Sequence, residues 1–422
     1  MRGSSPTDAD LATQPERRTL DMQRPARLTR LRGIAAALAA ALVVAGCSDG
    51  SGTNAERASS TAAASTTTAP DPVDALRLNE LQYIGTHNSY HISPNTSAAA
   101  ATPDEQAGEQ ASAVAGVPML DYTHDPLPQQ LATGTRAFEL DVFADPDGNL
   151  FDHPMAPTLL GEGDPGLPAS MSQPGFKVLH LPDIDFRSTC WTFVECLTEV
   201  HEFSDANPDH VPIFIQIELK DDTLPAPLDF TATLPIGATE LDALDAEIRS
   251  VFDEEHLITP DTIRGDHPTL AEAIATDGWP TVGESRGKVV FFLDNGGSVH
   301  DTYLAGSPNL QGRAAFTSAA DPGDPDRAIV KLNNPFETSE IADAIAEGLI
   351  VRTRADADLE QAPSNDVTMR EAALTSGAQI VSTDFPATKV AASGYVVGFG
   401  TGLQVRCNAV VVTACPTTPV TG

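Results

Sequence analysis

Leu81–His91 reads LQYIGTHNSYH, and its first half decides the fold. Leu81 to Ile84 is a brief apolar run carrying a tyrosine and closed by Gly85, the pattern of a buried strand that stops at a turn. Directly beyond it stand His87 and Asn88, then Ser89 and Tyr90. One imidazole and one carboxamide at a strand end can simply hydrogen-bond the local backbone. Three later strand-like runs end the same way, however: FELDV (138–142), VLHLPDID (178–185) and IQIELKDD (215–222). Polar chemistry delivered repeatedly at strand ends points to a site.

Outward from this stretch, Val/Ile/Leu/Phe runs predict strands near 81–86, 136–143, 177–181, 211–219, 288–294, 327–332, 348–353 and 378–383. Continuous apolar runs of this kind suit a parallel sheet buried on both faces. Helical periodicity lies between most of them, at 191–206, 239–252, 268–276, 337–347 and 366–376. Eight strands with crossover helices predict an α/β fold, an irregular (β/α)8 barrel of the TIM type over residues 75–386. Segments 92–135 and 155–175 read as long loops on the face where such barrels build their sites. Residues 387–422 read as a C-terminal extension of the same domain, a small β-rich cap or hairpin.

Ahead of the barrel, a basic stretch from Arg24 to Arg32 leads into GIAAALAAALVVAGC (33–47). A positive flank, a short apolar core and small residues before the break form a secretory signal. The core is too short and too rich in alanine for a comfortable membrane span. Val44-Ala45-Gly46-Cys47 is similar to a bacterial lipobox, with Cys47 the acylated residue; the alternative is a plain signal with a chance cysteine. Residues 48–74, mostly Ser, Thr and Ala, have too few large apolar side chains to bury a core and read as a disordered linker. The expectation is an exported monomer, lipid-anchored on the outer face of a bacterial cell membrane, or secreted. Cys190 with Cys196, and Cys407 with Cys415, are then local disulfides; neither pair has zinc-type spacing. With 59 acidic against 25 basic residues, a net charge of −34, the chain is no nucleic-acid binder, since phosphate backbones need basic footprints. Simple charge adhesion to anionic lipid is excluded for the same reason.

The chemistry-bearing residues follow strand by strand. Glu139 and Asp141, at i and i+2, project to one face of a strand. Two buried carboxylates repel unless a cation lies between them, and a hard divalent ion takes oxygen ligands; a salt bridge to Arg136 or another cation is the alternative. Gln216, Glu218 and Lys220 share a face in the same way. Glu218 can complete an oxygen shell with Asn88, Glu139 and Asp141, and Lys220 can meet a phosphate oxygen as a point charge. His180, ending a predicted strand, is the second candidate imidazole beside His87, and His153 in FDHP competes with it. Asp294 closes VVFFLDNGG, where it either orients a catalytic group or caps the turn. Arg352 and Arg354 alternate on one strand and suit phosphate or ring hydroxyls, or a salt bridge to Asp356 or Asp358. Asp384 follows the last strand, next to the first, and either fixes the tautomer of His87 or serves a structural turn.

Gly85-Thr86-His87-Asn88-Ser89-Tyr90 resembles the opening motif of the bacterial calcium-dependent phosphatidylinositol-specific phospholipase C family, within the wider phospholipase C-like phosphodiesterase superfamily. The similarity runs over roughly residues 76–386. The order His-Asn, Glu-x-Asp, His, Glu-x-Lys resembles that of the superfamily and favours His180 over His153. The resemblance implies a Ca2+ cofactor, a phospholipid substrate, and release of diacylglycerol and a cyclic inositol phosphate by acid–base work of His87 and His180. Glycerophosphodiester phosphodiesterase or sphingomyelinase D-like activity uses the same barrel and ligand types. A non-catalytic ligand-binding lipoprotein is the other alternative, although a calcium binder has no use for imidazoles beside its ligands.

Overall fold

A computed structural model describes residues 71–94, 120–159, 161, 163–224, 229–357, 359–400 and 402–421. The signal segment with Cys47, and the linker up to residue 70, lie outside the described residues. Among the described residues there are ten strands: β1 (Leu81–Thr86), β2 (Ala137–Phe143), β3 (Lys177–Val178), β4 (Ile213–Lys220), β5 (Val289–Leu293), β6 (Ala315–Thr317), β7 (Ile329–Lys331), β8 (Ile350–Arg354), β9 (Ile380–Thr383) and β10 (Val405–Cys407). They form two five-stranded sheets, ordered β10-β1-β9-β8-β7 and β3-β2-β4-β5-β6. β3 and β10 are antiparallel additions to β2 and β1. The remaining eight pair in parallel within their sheets, as a (β/α)8 barrel requires.

The two sheets meet twice. Ser89 N donates to Glu139 O at 2.9 Å on the β1–β2 side, and Lys331 N to Ser318 O at 3.0 Å on the β6–β7 side. At the first seam a Cβ on Gly85 would lie 3.0 Å from the Ala137 Cβ and 3.2 Å from its carbonyl oxygen, so only a glycine lets β1 approach β2 this closely. β2 and β5 are buried at every position; β5 reads as an unbroken apolar run, and in β2 only Glu139 and Asp141 interrupt it. Helices Phe193–Ala206, Ala238–Val251, Leu270–Thr276, Thr338–Ala346 and Thr368–Thr375 lie within a few residues of their predicted spans. The first is opened by Thr192, whose side chain accepts from Glu195 N while Glu195 reaches back to the cap.

Two strand expectations are corrected. The run 177–181 is not a barrel strand: only Lys177–Val178 is extended, and it runs antiparallel along Val142 and Phe143 of β2. The eighth barrel strand is β6, three residues long and unseen in the sequence. It is cut short by Arg313, paired with Asp242 and Asp245 on one side, and by Ser318, whose hydroxyl donates to Leu293 O on the other. At the C-terminus β10 continues the β1 edge, with Leu81 opposite Cys407. Cys190–Cys196 and Cys407–Cys415 are both disulfides. Among the described residues no helix is long and apolar enough to cross a membrane.

Candidate active site

Most polar groups of the site stand on barrel strands or just beyond their C-terminal ends, and loops supply the rest. Parallel in-register pairing sets Asp141 of β2 opposite Glu218 of β4, and Glu139 opposite Gln216. Oxygens of Glu139, Asp141 and Glu218 consequently lie within 4.8 Å of one another. Burial, and then the Asp141 charge, push the Glu218 carboxyl up to about 7. Lys220 Nζ lies 3.1 Å from Asp141 Oδ2 and 3.1 Å from Glu218 Oε1, so it is shared between the carboxylates rather than projecting free. Glu139 ion-pairs with Arg352 inside the barrel. The predicted alternative partner, Arg136, instead donates to the carbonyls of Leu131 and Thr135.

Asn88 is held at φ 44°, a left-handed conformation that asparagine tolerates better than most side chains. Its amide donates to the Tyr122 hydroxyl at 2.9 Å, which leaves Oδ1 buried with no donor. Asp141 Oδ1 is likewise buried and unpartnered. Lone pairs left bare on a carboxamide and on a carboxylate cluster fit a hard cation taking oxygen ligands, as calcium does.

His87 stands beyond β1 with Nδ1 2.8 Å from Asp384 Oδ1, at the end of β9. Burial alone would raise the Asp384 carboxyl, but His87 and Arg354 outweigh it and hold it at about 2. A tautomer with its proton on Nδ1 leaves a lone pair on Nε2, 3.4 Å from the Arg354 guanidinium. Arg354 also faces Asp384 at 3.4 Å and donates to the Asp356 carbonyl at 2.8 Å.

His180 lies past β3 in a turn closed by reciprocal backbone bonds between Leu181 and Asp185, not at a strand end as expected. Asp183, at φ 70°, pins that turn by accepting from Thr231 N at 2.6 Å and Met155 N at 3.1 Å. His180 Nδ1 is 2.7 Å from Asp185 Oδ2. Burial works against charge on this ring, but Asp185 and then Asp141 outweigh it and raise its pKa. Asp185 also takes His91 Nε2 at 2.8 Å, while His91 Nδ1 faces the Tyr122 carbonyl at 3.0 Å. Both nitrogens of His91 thus face oxygen atoms, one on each side of the ring.

Two candidates stand apart. His153 is on a bend with its side chain 87% exposed, and its ion-pair partner is the neighbouring Asp152 at 3.9 Å; no site group holds it. Asp294 accepts from Gln216 Nε2 at 2.5 Å and pairs with Lys331 at 2.5 Å, forming the wall beside Glu218. The turn is capped instead by Asn295, bonded to Leu219 N and O. Sequence reasoning missed His91, Asp185, Tyr122 and His124, whose Nε2 bonds the His87 carbonyl at 2.8 Å. His91 and Asp185 were within the stretches quoted above, so their repeated imidazole and acid were the available signal.

Two carboxylate-paired imidazoles beside a carboxylate cluster at the C-terminal face of a β/α barrel suit phosphodiester transfer, in which one oxygen loses a proton and another gains one. Comparison with known proteins narrows this class. The family model of phosphoinositide phospholipase C, Ca2+-dependent, matches residues 76–409, and the chain belongs to that family. It is a Ca2+-dependent phosphodiesterase of the phosphoinositide phospholipase C type. The calcium-dependent phosphoinositol-specific phospholipase C of a Pseudomonas species has the same fold, with 16% identity over 80% of this chain and 97% of that one, at a TM-score of 0.50. A Ca2+-dependent phosphatidylinositol-specific phospholipase C from Streptomyces antibioticus aligns over 74% of this chain and 95% of that one, at 17% identity and a TM-score of 0.46. No curated protein matches the chain.

Proposed function

We propose that this chain cleaves phosphatidylinositol to diacylglycerol and a cyclic inositol phosphate, with His87 as general base and His180 as general acid. The observation that carries the reading is two imidazoles, each on its own buried carboxylate, around one carboxylate cluster. His87, its Nδ1 proton on Asp384, offers Nε2 to the inositol hydroxyl beside the phosphate. His180, kept protonated by Asp185, gives its proton to the departing diacylglycerol oxygen. Arg354 and Lys220 supply positive charge for the phosphate oxygens. Asn88, Glu139, Asp141 and Glu218 would hold calcium, which when bound polarises a phosphate oxygen and acidifies the hydroxyl.

Hydrolysis of a panel of phosphodiester lipids, with and without EGTA, tests this. Cyclic inositol phosphate from phosphatidylinositol, abolished by chelation, is the expected result. Glycerol phosphate or ceramide phosphate as the main product would overturn the head-group assignment. We also propose export under residues 1–47, acylation at Cys47, a linker over 48–74, and a monomeric catalytic domain of 75–386 extended by 387–422. The two disulfides support an oxidising compartment. A mature N-terminus at Cys47 carrying diacylglycerol is expected by mass spectrometry, and an unmodified Cys47 would remove the anchor.

A further inference from the structure

We propose that His201, Asp205 and His256 form a second metal site, for Zn2+ or a similar borderline cation, at the barrel end opposite the catalytic face. His201 and Asp205 stand one turn apart at the C-terminal end of helix Phe193–Ala206. His256 lies between helix Ala238–Val251 and β5, and its carbonyl accepts from Val289 N, the first residue of β5, at 2.8 Å. The three side chains therefore gather where the strands begin, while His87 and Glu218 lie where they end.

Asp205 Oδ1 is 3.8 Å from His201 Nε2 and 3.6 Å from His256 Nε2, both too long for hydrogen bonds. Ligand atoms of all three lie within 4.8 Å of one another. His256 Nδ1 is 2.7 Å from Asp253 Oδ1, which places the ring proton there and aims the Nε2 lone pair at the Asp205 oxygen. An outer carboxylate on the far nitrogen is how metal-binding histidines are oriented and made more basic. His201 is fixed by edge contacts with the Phe252 ring, 5.1 Å away, and the His256 ring, 5.2 Å away.

A cation held between the two imidazoles and the Asp205 carboxylate would engage all three at once. Tetrahedral zinc bonds near 2.0–2.1 Å separate ligand atoms by about 3.3 Å, so the two Asp205–imidazole separations of 3.8 and 3.6 Å need to close by only about half an ångström or less. Two imidazoles and one carboxylate select zinc-like ions over calcium, unlike the oxygen-only catalytic cluster. Asp205 is 57% exposed, which leaves water free to supply the fourth ligand. The bound ion would brace the helix end against the segment leading into β5 and stabilise the fold by mass action.

The test is calorimetric titration of tag-free protein with Zn2+, with Ca2+ present throughout, followed by thermal unfolding of the loaded samples. The unsubstituted protein should take up one Zn2+ more than His256→Ala and Asp205→Asn, and only it should gain unfolding temperature from that ion. Asp253→Asn should weaken the site about 10–100-fold without abolishing it. Hydrolysis with Ca2+ alone should be unchanged in all three variants. Equal Zn2+ uptake by the unsubstituted protein and the His256→Ala and Asp205→Asn variants, or no uptake by any of them, overturns the proposal.

Discussion

Each of the two candidate catalytic imidazoles sets its Nδ1 on a carboxylate, and the charges around the two rings differ. His87 shares Asp384 with Arg354, whose guanidinium stands 3.4 Å from Nε2, whereas His180 lies near Asp141 and on Asp185. The division of labour has a measurable consequence. A substrate with a thiol or nitrophenol leaving group needs no proton on departure, so His180→Ala should recover much of its activity there. His87→Ala should stay inactive on both substrates, and each deletion should cost on the order of 10²–10⁴-fold on the natural lipid. Equal losses on both substrates for both variants would show the roles to be misassigned. His91 acts through Asp185: its ring stacks on Tyr122 at 4.2 Å, so His91→Phe keeps the packing and removes one of the two donors on that carboxylate. It should follow the rescue pattern of His180→Ala at a smaller amplitude. The sign of the pH effect follows from the raised pKa of His180: its acid form persists above the ordinary imidazole range, placing the alkaline limb of kcat there. Asp185→Asn should move that limb to lower pH, and an unmoved limb in the pH–rate profile would free His180 from Asp185.

At the scale of elements, the site is a matter of where strands end. Most barrel strands are legible in the sequence because both faces are buried and the apolar run is continuous. β6 is not, since Ala315-Phe316-Thr317 is too short to show periodicity and is recognisable only by its parallel partner Phe291–Leu293. Lys177–Val178 misleads for the converse reason: Val178 and Leu179 are buried like barrel residues, yet they pack along the edge of β2. The carboxylates are legible because i, i+2 spacing on a strand dictates one face. The His91–Asp185 pair spans 94 positions of chain and leaves no periodic trace. The seam at Gly85 turns this geometry into a test. Gly85→Val would force β1 off Ala137 and drag Asn88 away from Asp141; overpacking of this kind costs about 1–3 kcal/mol. Activity at a temperature where the variant remains folded should fall at least tenfold, and a fully active variant would show that the seam does not set the site. The Cys190–Cys196 bond ties the loop after His180 to helix Phe193–Ala206. Its short loop restricts little unfolded chain, so replacing both cysteines by alanine should cost about 2 kcal/mol in chemical denaturation.

At the scale of the whole molecule, a chain of net charge −34 gathers three carboxylates at one point and offsets them with Lys220 and Arg352. The arrangement is stable only if protons or a cation share the charge. Glu218, raised to about 7 by burial and by Asp141, holds its proton more tightly folded than unfolded. Without a cation its contribution to stability is therefore complete below the unfolded carboxyl range, and is lost as pH rises toward and through 7. With Glu218 and Asp141 among the ligands proposed above, bound calcium would reverse that trend by taking the place of the Glu218 proton and offsetting the Asp141 charge. At pH 8 the ion displaces little, whereas at pH 5.5 it must first expel the proton, and binding weakens accordingly. The rise in unfolding temperature produced by a fixed, subsaturating Ca2+ concentration should thus be larger at pH 8 than at pH 5.5. Glu218→Gln, which cannot titrate, should flatten that difference while reducing the rise itself. Calorimetric melts of both proteins at the two pH values decide the matter: an increment independent of pH in the unsubstituted chain would take Glu218 out of the cation's ligand set.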